Sequence, residues 1–273
     1  MYKEILKQNN PHERDEFIKF YNNGHKYEIS IDLKSKYTSV TTWCHSHFAK
    51  FDADAIIANI YKSKNWGPNN KYWNMTPEEI KSTWKKSGDS AANSGTNLHE
   101  QIEHFMNNEF INYPYSHNEL SSYYLNNNHL SNNLSIEWEY FMNFIKEYPD
   151  LKPYRTEWMI FDEDLKLAGS IDMVYENADG TLSIYDWKRC KAISTINEWN
   201  KFAITPVISH IHDTNFWHYT LQLNTYKFIL ERKYNKMVTN LCLVILHPDN
   251  SNNTYQLMNV PILTKEMLDL LSL

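Results

Sequence analysis

Apolar residues keep two different spacings along this chain, and the point where the spacing changes divides it. Before residue 150 they recur mostly in steps of three and four. Ile56, Ile57 and Ile60 follow Asp52 with helical spacing, and Gly67-Pro68-Asn69-Asn70 closes that segment. Thr76-Pro77-Glu78-Glu79 reads as a helix start: Thr76 caps, Pro77 suits the first turn and Glu79 completes a capping box. A second helical stretch carries Leu98, Ile102, Phe105 and Met106 on one face, and residues 135–147 form another. Upstream, HKYEISI (25–31) alternates like a short strand, and YTSVTTW (37–43) is β-branched. The Asn- and Ser-rich stretch 107–134 reads as a loop or poorly ordered insertion with a short helix.

After residue 150 the period drops toward two. Residues 154–161, 167–175 and 181–187 predict three successive strands, 215–234 an amphipathic helix, 238–246 a fourth strand and 264–273 a closing helix. Helix, three strands, helix, strand is the order of an α/β core, not of a helical bundle or a β-sandwich.

One predicted hairpin breaks the rule that such strands are apolar. AGSIDMVYENADGTLSIYDWKRC (168–190) turns at Asn177-Ala178-Asp179-Gly180, and Asp172 and Asp186 lie seven residues either side of Asp179. A regular hairpin folded there sets the two carboxylates opposite each other, where like charges repel. Something positive should sit between them: Lys188, on the same face as Asp186, or a divalent cation of the oxygen-seeking kind. The bland alternative is an exposed hairpin face with a surface ion pair, which the flanking apolar residues disfavour. Glu157, on the first of the three strands, is either a further carboxylate of this site or an edge-strand surface residue.

Composition narrows the rest. A chain of 273 residues with 42% hydrophobic and 15% aromatic residues can bury a large core. Its net charge of −6 excludes a uniformly basic nucleic-acid binder, so a polyanion would need a local basic surface or a metal. Lys188, Arg189 and Lys191 form one such cluster, and Lys81, Lys85 and Lys86 another; both also read as ordinary solvated faces. Cys44, Cys190 and Cys242 are scattered and odd in number, which argues for a reducing compartment and against a disulfide framework. No long apolar run and no signal-like N-terminus is present, so an intracellular, soluble protein is expected.

The motifs resemble those of the PD-(D/E)XK nuclease superfamily, in its RecB and lambda-exonuclease-like branch. Gly169-Ser170-Ile171-Asp172 followed by Asp186-Trp187-Lys188 is similar to its GxxD…(D/E)xK signature. Ser94-Gly95-Thr96-Asn97-Leu98-His99-Glu100 resembles the GTxxH helix ahead of it, and Gln222-Leu223-Asn224-Thr225-Tyr226 the QxxxY helix behind it. The likeness spans roughly residues 90–247, and each motif alone is weak. The stand-alone chain and its Ser39-Val40-Thr41 segment are also similar to the mitochondrial genome-maintenance exonuclease group and to nucleases of large DNA viruses.

The resemblance implies an α/β PD-(D/E)XK restriction-endonuclease-like core, a central mixed sheet flanked by helices, over residues 90–273. A mainly helical extension (1–89) would form a cleft wall or arch. It further implies Mg²⁺ or Mn²⁺ held by His99, Asp172 and Asp186, with Lys188 assisting hydrolysis of a phosphodiester. Gln222 and Tyr226 would shape the site and contact DNA, and Arg189 and Lys191 would grip phosphate. An exonuclease acting on DNA ends or single strands is the expected activity. A structure- or site-specific endonuclease, and a non-catalytic DNA-binding module, are the alternatives. The four-cysteine iron–sulfur set of some branches is missing, and no helicase motif accompanies the core.

His99, Gln222 and Tyr226 also fit as packing residues of their helices, a reading preferred for the last two without the family pattern. Cys44-His45-Ser46-His47 invites a zinc reading but lacks a second ligand pair nearby. Ser209-His210-Ile211-His212-Asp213 reads as a solvated loop that borders the cleft. Of 19 tyrosines and 9 tryptophans most belong to a core, and some are available to stack on unpaired bases.

Overall fold

The computed structural model describes residues 3–127 and 135–271. Its elements in chain order are α1 (Ile5–Asn9), β1 (Ile18–Tyr21), β2 (Lys26–Ile29), β3 (Thr38–Ser39), α2 (Val40–Ser46), α3 (Ala53–Lys62) and α4 (Pro77–Met106). Then come α5 (His117–Asn126), α6 (Ile136–Glu147), β4 (Lys152–Asp162), β5 (Leu167–Glu176) and β6 (Leu182–Lys188). The chain closes with α7 (Asn215–Lys233), β7 (Val238–Ile245), β8 (Gln256–Asn259) and α8 (Thr264–Leu271). The part of the 107–134 stretch between 128 and 134 lies outside the described residues.

The result is an α/β fold with a mixed central sheet covered on both faces. The path β3-β5-β6-β7-β8 runs through the sheet, with β4 also paired to β5. One face packs with residues of α2, α7 and α8, among them Val40, Cys44, Leu221, Tyr226 and Met267. The other packs with α4 and α6 through Leu98, Ile102, Phe141 and Phe144.

A strand has two edges, and those of β5 are used unequally. β4 follows one edge from Glu176 to Leu167. β6 and β3 must therefore share the other: β6 pairs antiparallel at 173–176, and β3 pairs parallel at 167–168. Residues 169–172, the Gly-Ser-Ile-Asp motif, are left in the fork between them. Asp186 and Lys188 are already beside β7 there.

Two helices expected around residues 76 and 98 are one helix of 30 residues. The Thr76–Glu79 capping box forms as expected, but no stop signal follows it. Gly88 and Gly95 cost only about 1 kcal/mol each, too little to end a helix held at both ends. Residues 85–93 of α4 are exposed all round, so this stretch is a solvated span between the sheet and the region around α3. The boundary expected at 89/90 falls inside it, while β3 and α2, from the N-terminal region, join the sheet and its α7 face.

YTSVTTW is extended only at Thr38–Ser39. Ser39 then caps a helix by accepting from the Thr42 N–H (3.1 Å), and Val40, Cys44 and Phe48 bury at four-residue spacing. Burial overrides β-branched propensity. The expected strand at 25–31 is β2, paired with an unforeseen β1. β8, also unforeseen, is short and follows an Asn-rich turn.

Candidate active site

The turn sets the register of the acidic hairpin. Asn177 N–H donates to the Thr181 carbonyl (2.8 Å), Gly180 N–H to the Asn177 carbonyl (2.9 Å), and Gly180 sits at φ +80°. This is a three-residue hairpin loop whose left-handed position suits glycine. Pairing runs Glu176↔Leu182 to Met173↔Tyr185, so Asp172 and Asp186 come next, facing each other where the strands part. In place of a ladder bond, the Trp187 N–H donates to Asp172 Oδ2 (3.0 Å). Asp172 thus holds the mouth of the fork by its side chain.

Glu157 extends the acidic row across a third strand. Thr156↔Met173 and Trp158↔Ile171 pair on either side of it, which places Glu157 opposite Asp172. It has φ +43°, a left-handed conformation that non-glycine residues rarely adopt. The two-residue alternation of β5 slips at the same point. Ile171 and Val174 both belong to the α7-side cluster, and Met173 and Tyr175 to the α6-side cluster. The kink turns both carboxylates toward α4. Ser170 Oγ donates to Glu157 Oε2 (2.9 Å), which fixes its rotamer.

His99 descends from α4 onto this pair. Its Nδ1 lies 3.6 Å from Glu157 Oε1 and 3.6 Å from Asp172 Oδ2. Its Nε2 lies 2.9 Å from the Trp187 carbonyl, which can only accept, so Nε2 carries hydrogen and Nδ1 is the nitrogen turned toward the acids, the one a cation would take in place of a proton. This is the arrangement that orients metal-binding imidazoles. His99, Glu157 and Asp172 each offer a ligand atom, and these atoms lie within 4.8 Å of one another. Asp186 stands outside that trio. Its Oδ2 is 2.6 Å from Lys188 Nζ, and Lys188 also lies 4.7 Å over the Tyr219 ring.

The charges are mutually dependent. Burial pushes both aspartates up, Asp186 to about 6, because Lys188 and His99 only partly offset the lost solvation and the neighbouring acid. Burial opposes a charge on His99, but Asp172 and Glu157 outweigh it and raise the ring to about 9. For Lys188 burial likewise works against the charge, and Asp186 and Asp172 reverse it, so the amine stays an ammonium. Three carboxylates against one ammonium and one imidazole leave the centre short of positive charge. One imidazole nitrogen with carboxylate oxygens is a donor set that suits Mg²⁺ or Mn²⁺.

A cleft of about 630 Å³ opens onto His99 and Glu157, lined also by Thr96, Glu100 and Glu103. Burial first, then Glu157, Glu4 and Glu100, raise Glu103 to about 7. Glu103 follows His99 by four residues, one helical turn, a spacing that could have marked it from sequence. Tyr219 was equally readable, being one turn ahead of Gln222.

Tyr226 is buried and accepts a hydrogen bond from Gln222 Nε2 (3.1 Å). A Cβ on Gly169 would lie 2.7 Å from Tyr226 Cε1, so the glycine of the motif makes room for this ring. Arg189 and Lys191 are both engaged. Arg189 Nε donates to Glu137 (2.8 Å), and Lys191, on the open surface, pairs with Asp249 (2.9 Å). Lys81 pairs with Asp54, and Lys85 and Lys86 are exposed on α4. Cys44 is buried, His47 Nδ1 contacts Thr205 Oγ1 (2.8 Å), and His45 packs edge-on to His218. Among the described residues these groups do not converge on a metal position.

No helix among the described residues is long and apolar enough to cross a membrane. Comparison with protein-family models and with curated proteins finds no match, so the likeness of the motifs rests on the residues and their geometry alone.

Proposed function

We propose that this protein is a Mg²⁺- or Mn²⁺-dependent deoxyribonuclease with a PD-(D/E)XK-type core, hydrolysing phosphodiester bonds at DNA ends or in single strands. The observation that carries the reading is the convergence of His99, Glu157 and Asp172 donor atoms beside the Asp186–Lys188 pair. His99, Glu157 and Asp172 would hold the cation, with Asp186 adjoining. A bound divalent ion supplies Lewis acidity and lowers the pKa of water. The protein's own groups do the rest. Asp186 tethers the Lys188 ammonium, which would donate a hydrogen bond to a non-bridging phosphate oxygen as negative charge builds there. The Trp187 carbonyl keeps His99 in the tautomer that presents Nδ1. Gln222 and Tyr226 form the α7 wall, and the buried Tyr226 acts by shape more than by reach.

The test uses 5′- and 3′-labelled single- and double-stranded DNA with Mg²⁺, Mn²⁺ or EDTA. Cleavage should need the metal and fall about 10²–10³-fold in Lys188→Ala and Asp186→Asn. Short products released from a labelled end mark an exonuclease, and discrete internal fragments an endonuclease. Wild type and both variants behaving alike would remove the site from the reaction.

A further inference from the structure

Three contiguous hollows follow α3 on a face outside the acidic centre. The first, about 600 Å³, is lined by His45, Lys50, Phe51, Asn59, Lys201 and His218. The second, about 760 Å³, shares Asn59 and Lys201 with it and adds Asn65 and Trp199. The third, about 650 Å³, continues past Asn65 to Trp66 and Tyr72. Trp199 is 82% exposed, and Phe51, edge-on to Trp84, is 73% exposed. Lys50, Lys64 and Lys201 line the hollows and form no ion pair among the described residues, whereas Lys81, Lys188 and Lys191 each have a carboxylate. Two acids also border the first hollow: Asp52, whose side chain caps α3, and Asp213, which lies 2.9 Å from His218 Nε2.

From these observations we infer that the α3 groove binds an unpaired nucleic-acid strand, its phosphates on Lys50 and Lys201 and its bases stacked on Trp199 and Phe51. Aromatic faces left open beside cations, with Asn59 and Asn65 amides between, are what sequence-tolerant single-strand binding uses. A duplex hides its base faces and gains nothing from an indole. Ten residues of α3 rise about 15 Å, room for roughly four stacked nucleotides at the 3.4 Å spacing of one strand. The wall carrying Trp199 and Lys201 belongs to the loop that leaves Lys188 at the end of β6 and returns at α7. The groove is therefore built by the segment that follows the candidate catalytic lysine. This inference deepens the nuclease reading and rests on it for the substrate's identity.

The experiment is fluorescence anisotropy with a labelled 12-nucleotide oligo-dT and with a blunt duplex of equal length, in EDTA so that nothing is cleaved. Wild type should bind the single strand at least tenfold more tightly than the duplex. Trp199→Ala should weaken single-strand binding about tenfold, the value of one stacked base, and Lys50→Ala/Lys201→Ala should flatten its salt dependence. Circular dichroism confirms folding, which an exposed Trp199 does not support. Equal binding by wild type and Trp199→Ala, or equal affinity for both nucleic acids, overturns the groove assignment. If binding behaves as expected but wild type cleaves no DNA with either metal, the nuclease reading fails and the groove stands. Metal-dependent cleavage with binding indifferent to these substitutions gives the reverse.

Discussion

At the scale of single residues, Glu157 is held against its own preference. A left-handed conformation costs a non-glycine residue on the order of 1–3 kcal/mol, and this one also faces Asp172. What it gains is a carboxylate turned toward His99. Glu157→Gly should therefore raise the stability of the metal-free protein by about 1 kcal/mol, seen in chemical denaturation, while calorimetry shows Mn²⁺ affinity falling at least tenfold. A variant less stable than wild type without metal would make Glu157 a structural residue. Gly169 is the opposite case, a position where absence of a side chain is used. Tyr226 is buried and cannot swing clear of an added Cβ, so Gly169→Ala should cost about 1–3 kcal/mol by overpacking. Of these residues, Asp172, Asp186 and Lys188 were legible because the turn dates the register. Glu157 was legible only as one of two alternatives, a site carboxylate or an edge-strand residue, because nothing local reports the kink that turns it toward a histidine 58 positions earlier in the chain.

At the scale of elements, what could be read was whatever carries its own period and caps. α3, α6, α7 and the β4–β6 meander announce themselves by spacing, and α4 by its capping box. What could not be read depends on a partner elsewhere. β3 exists because the fork in β5 leaves an edge free at Leu167 and Ala168, and α2 is helical because α7 offers it an apolar face. α4 is the element whose stability is most exposed to test. Its span 85–93 has little packing, so intrinsic propensity governs it. A Cβ on Gly88 meets nothing within 4 Å. Gly88→Ala should stabilise the span by about 0.5–1 kcal/mol, read as slower amide hydrogen exchange across residues 85–93. Unchanged exchange would mean the span opens only with the whole protein.

At the scale of the whole molecule, the sheet is bound to its helical layer partly through a histidine that must stay neutral. His117 begins α5, is fully buried, and meets the Tyr175 hydroxyl on β5 at 2.9 Å. Burial lowers it to about 3, and the positive end of α5 works in the same direction. An unfolded histidine titrates near 6.5. Below that pH the unfolded chain takes up a proton that the folded protein refuses, so stability falls with acidification between roughly 6.5 and 3, by up to about 1.4 kcal/mol per pH unit. Asp186 and Glu103, both raised, push the other way as they protonate in the folded state. The histidine's share is therefore read as a difference. His117→Gln keeps an amide for the Tyr175 hydroxyl and has no proton to refuse. Denaturation curves of both proteins at pH 8, 6, 5 and 4 should show the wild type losing ground to the variant only below about pH 6.5. A gap that stays constant over the whole range would mean that His117 titrates alike in the folded and unfolded protein, and that burial against the sheet does not hold it neutral.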